Sequence, residues 1–199
     1  MKALAVDYTV SMVHHGDGKQ PSQRKEQAAM PTICLTLTGP AEALYPNGGD
    51  EAYWMGQVAG ALAAHLAGEG ITLSWGGGAR SQPGELYLVL GSQVAPLELE
   101  GQKKGPVVFC QKGREKSKQA GEALAHHLEK IYPQPEFLAL KEEENIPELA
   151  EIPGPAVLVR LLYRDNPQDE AWLARNTGAA GKALAQGIIQ AVKGNLYHA

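Results

Sequence analysis

Apolar positions along this chain switch between short continuous runs and a three- and four-residue spacing, which predicts strands and helices in turn. Ile33-Cys34-Leu35-Thr36-Leu37 reads as a strand, bounded by Pro31 and by Gly39-Pro40. Asp50 to Ala67 reads as a helix, with Met55, Val58, Ala59, Leu62 and Leu66 on one apolar face, and Gly68 and Gly70 end it. Ile71 to Trp75 is a second strand, followed by Gly76-Gly77-Gly78 as a loose turn. Leu86 to Leu90 is continuously apolar, as in a strand buried on both faces, and Val107 to Cys110 is another strand. Ser117 to Ile131 predicts a helix, Phe137 to Leu140 a short strand or extended piece, and Lys141 to Glu151 an acidic loop. Ala156 to Leu162 is a further buried strand. Asp165-Asn166-Pro167 then turns into a helix near Gln168, and a last helix runs from about Gly178 to Val192 with Leu184, Ile188 and Val192 on one stripe. Strands alternating with helices predict an α/β domain whose mainly parallel sheet carries helices on both faces.

The first residues do not share this pattern. Residues 1–30 read as an N-terminal arm and linker, with Met1 to Val13 strand-like, a turn at His14-His15-Gly16-Asp17, and a polar stretch from Gln20 to Ala29. The domain proper occupies 31–199. The length of 199 residues suits one such domain. A net charge of -4 argues against nucleic acid as the main partner, because phosphate binding needs a concentrated basic face. No apolar stretch is long enough to span a membrane, and Asp7 breaks the opening apolar run too early for a signal peptide. The expected compartment is the cytoplasm by default, or the cell wall by another export route. Cys34 and Cys110, the two cysteines, lie in apolar strands and read as small buried hydrophobes; two residues alone do not argue a disulfide.

Three segments, in order, resemble the zinc-dependent N-acetylmuramoyl-L-alanine amidases of bacterial cell walls. Gly49-Asp50-Glu51-Ala52-Tyr53 is similar to the start of the helix that carries a zinc-binding glutamate in that family. Leu88-Val89-Leu90-Gly91-Ser92-Gln93-Val94-Ala95 is similar to a strand ending in a His-Ser-Asn-Ala motif. Pro155 to Leu173, with its buried strand, Asn166-Pro167 turn and acidic helix start, is similar to the closing motif. The resemblance covers about residue 32 to the end and implies an amidase-like fold.

That family's chemistry needs His, Glu and His around zinc, an open position for water, and a further glutamate. Matched residue by residue, Glu51 keeps the ligand glutamate. The loop Thr38 to Asn47 holds no histidine, Gly91 stands at the second histidine, and Arg160 stands at the catalytic glutamate. Gly76 to Glu85 is also short, where the family has a helix beside the active site.

The resemblance therefore implies a degenerate, non-catalytic amidase-like protein that binds or regulates at the cell wall. Its remnant cleft would be made by Glu51, Gly91, Ser92, Gln93 and Arg160, with no cofactor. Expected partners are muropeptide or peptidoglycan fragments, or a wall-remodelling protein. Two alternatives stay open: a working zinc hydrolase with an altered site, and a structural protein whose arm joins subunits. An Arg160–Glu51 ion pair is expected to fill the metal's place, against an Arg160 that faces solvent or pairs elsewhere. His14 and His15 reach the site only if the arm folds over it. His65, His126 and His127 read as helix-surface residues, His198 as terminal, and Ser92 as polar lining without a base.

Overall fold

The computed structural model describes residues 30–76 and 86–196, with side chains to Gly194. Six strands form one sheet: β1 (Thr32–Leu37), β2 (Thr72–Trp75), β3 (Leu86–Gln93), β4 (Val107–Gln111), β5 (Ala139–Glu143) and β6 (Ala156–Tyr163), in the order β2-β1-β3-β6-β4-β5. β2, β1, β3 and β6 run parallel. β4 lies antiparallel to β6, and β5 follows β4 in parallel. The sheet is thus mainly parallel, as expected, and the carboxyl ends of β1, β3 and β6 converge on one edge.

Side-chain alternation divides the sheet into two faces. Ile33, Leu35, Leu86, Leu88, Leu90, Val157, Val159 and Leu161 point into the main core with helices α1 (Glu51–Gly68), α2 (Glu115–Glu129) and α3 (Pro167–Leu196). Cys34, Tyr87, Val89, Ala156 and Leu158 face the other way, onto Ile146, Leu149 and Ile152. The three α-helices pack in the main core, and the 3-10 turn Pro147–Leu149 lies over the second face. A continuous apolar run requires cover on both sides but does not say which element supplies it.

That second cover corrects the reading of Lys141 to Glu151 as a loop. Lys141 to Glu143 belong to β5, and Pro147–Leu149 is a single 3-10 turn whose Leu149 is buried. β5 is the sheet's edge, so its charged side chains stay in water and hide the strand from an apolar pattern. The two helices expected at the end follow one another within α3, joined at a kink. Asn176 breaks the helical geometry (φ -131°, ψ 17°), and its Nδ2 donates to the Trp172 carbonyl at 2.7 Å, meeting the carbonyl at the kink.

The apolar faces of the helices are as predicted: Met55, Val58, Ala59, Leu62 and Leu66 are all buried, as are Leu184, Ile188 and Val192. α3 lies between α1 and α2, and two glycines permit the close approach. A Cβ on Gly181 would sit 2.6 Å from the Val58 carbonyl oxygen, and one on Gly187 would sit 2.8 Å from Leu124 Cα. The expected arm and linker, with His14 and His15, lie outside the described residues apart from Met30, and so does His198.

Candidate functional site

Glu51 is the first residue of α1, directly after the N-cap Asp50, whose carboxylate accepts from the Tyr53 amide at 2.8 Å. A carboxylate is favoured at this end of a helix. α1 aims Glu51 at the carboxyl end of β3, where it is 3% exposed. Its Oε1 accepts from the Ser92 amide at 2.6 Å, and its Oε2 accepts from the Ser92 hydroxyl at 2.5 Å and the Tyr45 hydroxyl at 2.7 Å. Burial, and then the neighbouring carboxylate, push the Tyr45 phenol well above its usual range, so it remains a donor.

Arg160 does not meet Glu51. Its Nη1 donates to the Ser92 carbonyl at 3.0 Å, and its Nη2 pairs with Glu148 from the 3-10 turn. The expected Arg160–Glu51 pair is thus replaced by an Arg160–Glu148 pair. Burial of the 146–152 segment against the second face of the sheet brings Glu148 over the end of β6. No local sequence signal carries that proximity. Arg164, one turn of chain further, donates from Nη1 to the Ser92 hydroxyl at 3.4 Å.

Gly91 is closed to side chains. A Cβ there would lie 2.5 Å from the Thr38 carbonyl oxygen and 3.2 Å from Arg160 Nη1. β1 and β3 are in register here, with the Thr38 amide donating to the Leu90 carbonyl at 2.9 Å, so the clash is with hydrogen-bonded backbone. Ser92 serves Glu51 through both of its donors. Gln93 lines a cleft of about 450 Å³ together with Gly39, Pro40, Glu148, Arg160 and Arg164. The structure therefore brings Glu51, Gly91, Ser92, Gln93 and Arg160 to one place. It adds Tyr45 and Arg164, which sequence reasoning missed. Tyr45 sits in a loop with no pattern to mark it. Arg164 stands four residues after Arg160 in the matched motif, a spacing that was the available signal.

The acidic start of α3 is structural. Asp165 accepts from the amides of Ala95 at 3.0 Å and Gly101 at 2.8 Å. Asn166 caps the helix and binds the carbonyls of Gly101 and Lys103. Asp169 accepts from the amides of Gly105 and Tyr163 and from the Tyr132 hydroxyl. Glu170 accepts from the Asn47 amide and side chain. These bonds pin the loops around the cleft to the last helix.

His65 and His126 are exposed, and His127 bonds Gln190 at 3.0 Å on the far helices. Cys34 and Cys110 are free and buried; burial pushes the Cys110 thiol up to about 11. Among the described residues no three His, Cys, Asp or Glu side chains converge as a metal-holding group, and no helix is long and apolar enough to cross a membrane.

No family model and no curated protein matches this sequence. Solved structures do match by fold. The CwlD amidase of Clostridioides difficile, solved in complex with the GerS lipoprotein, superposes with a TM-score of 0.71 at 13% identity, covering 82% of this chain and 98% of that one. The N-acetylmuramyl-L-alanine amidase Ami1 of Mycobacterium smegmatis gives 0.66 at 14% identity, with 83% and 98% covered. The amidase AmiC2 of Nostoc punctiforme gives 0.67 at 13%, with 81% and 97% covered. The chain has the fold of these peptidoglycan amidases across nearly their whole length.

Proposed function

We propose that this chain is a non-catalytic protein built on the amidase fold, and that it binds a peptidoglycan fragment in the cleft beside Arg160. The observation that carries this reading is the state of Glu51. Its oxygens are taken up by Ser92 and Tyr45, three donors in all. Three of the carboxylate's roughly four acceptor positions are thereby occupied by the protein itself. Around it, position 91 has no room for a ligand side chain, and Arg160 sets a permanent positive charge where the amidase family has a carboxylate. The described residues at this place do not fit a zinc ion.

Metal analysis of the purified protein after zinc loading, paired with a peptide-release assay on purified peptidoglycan with and without chelator, tests the reading. The expected result is substoichiometric zinc and no release. Stoichiometric zinc with chelator-sensitive release overturns it in favour of a working hydrolase. A protein partner is the second reading, favoured by the CwlD–GerS complex. It predicts that the chain binds no muropeptide.

A further inference from the structure

Two side chains at the cleft, Gln93 and Arg164, keep donor capacity that the described residues leave largely unused. Gln93 Nε2 is buried and has no hydrogen-bond partner among the described residues. Buried polar groups are almost always paired, so an orphan donor in a cleft wall asks for an acceptor from outside. Its neighbour is Arg164, whose backbone amide donates to the Gln93 carbonyl at 2.9 Å. The Arg164 guanidinium makes one long bond, to the Ser92 hydroxyl at 3.4 Å, and among the described residues no carboxylate lies within ion-pair reach of it. Arg160, by contrast, is engaged by Glu148 and the Ser92 carbonyl.

Gln93 and Arg164 both line the cleft, and a guanidinium fork together with an amide NH₂ suits a planar anion that accepts on two oxygens. Glu143 and Glu148 also line the cleft, which disfavours a doubly charged phosphate and suits a singly charged carboxylate with amide or ammonium groups nearby. A volume of about 450 Å³ accommodates a peptide of a few residues.

We propose that Arg164 and Gln93 form a carboxylate-binding site that holds a free carboxyl group of a peptidoglycan stem peptide; this rests on the binding role proposed above.

Calorimetric titration of the full chain tests this with two probes, N-acetylmuramoyl-L-alanyl-D-glutamate and the same compound with both carboxyls amidated. The acid is expected to bind about tenfold or more tightly than the diamide, as for loss of a charge-assisted pair. Arg164→Gln should lower affinity for the acid by about the same factor and abolish the discrimination, with Arg164→Lys in between. Gln93→Leu should weaken binding of the acid while leaving the melting temperature unchanged or higher, because it removes an unpaired buried group. This opposite movement separates binding from folding, and it decides the matter if Arg164→Gln does not fold. Equal binding of the two probes, an Arg164→Gln variant that still discriminates, or no binding of the acid overturns the carboxylate site. Mass spectrometry of the probe after incubation with zinc addresses the underlying reading separately. Intact probe supports it. Released dipeptide sinks the non-catalytic reading, whatever the effect of amidation.

Discussion

Replacing Glu51 separates a structural carboxylate from a ligand kept ready for a metal. In Glu51→Ala the Ser92 amide, buried and 2.6 Å from Oε1, loses its acceptor, which costs about 1–3 kcal/mol. The hydroxyls of Ser92 and Tyr45 both point at Oε2 and can turn toward one another, recovering part of their loss. The lost burial of the side-chain methylene adds about 1 kcal/mol. The sum is about 3 kcal/mol, a fall in melting temperature of about 6–12 °C for a chain of this size. Glu51→Gln is the control. Its carbonyl still accepts from the Ser92 amide, and its NH₂ faces two hydroxyls that can accept, so the loss should be about 1 kcal/mol. Differential scanning fluorimetry with and without zinc reads both variants. The same fall in both conditions is expected, since Ser92 and Tyr45 already occupy three of the carboxylate's roughly four acceptor positions. A melting temperature of Glu51→Ala equal to or above wild type would refute the reasoning. That pattern belongs to residues kept for function at a cost in stability. Zinc that raises the wild-type melting temperature but not that of Glu51→Ala would refute it as well.

Gly181→Ala should lose about 1–3 kcal/mol by thermal melting, although alanine is the better helix former, because its Cβ meets the Val58 carbonyl and Leu62 amide of α1. Asp169→Ala should lose about 3 kcal/mol or more in urea unfolding, since the Gly105 and Tyr163 amides and the Tyr132 hydroxyl lose their acceptor. Burial holds the Asp169 carboxyl above its ordinary range despite those donors, so the stability tied to its protonated form is full below the usual Asp range and is lost as pH rises through the raised value. The melting-temperature gap between wild type and Asp169→Asn should narrow in that direction. Neither cysteine should react with a disulfide reagent in the folded protein at neutral pH, because burial raises both thiols, Cys110 to about 11. Both should react in denaturant, and fast labelling of the native chain would contradict their burial.

The strands and helices were legible because each buries a face whose period the residues spell out: Leu86 to Leu90 as a continuous run, Met55 to Leu66 as a helical stripe. Motif order over most of the chain carried the amidase-like fold, and the structural matches agree. Of β5 only the apolar start, Ala139 and Leu140, was legible; its charged half and the 3-10 turn were not, because an edge strand has charged side chains on both sides and a turn has no period. The site shows the same division. Glu51, Gly91, Ser92, Gln93 and Arg160 were grouped by the resemblance to the amidase motifs, and they lie together because strand ends and a helix start meet at one edge of the sheet. Their partners were not legible. Arg160 turns to Glu148 because a distant segment packs on the second face of the sheet, and Glu51 is claimed by a loop tyrosine and the Ser92 amide. Hydrogen bonds have a short reach and a direction, so which donor meets which acceptor is decided only when tertiary packing sets those atoms within about 3 Å of each other.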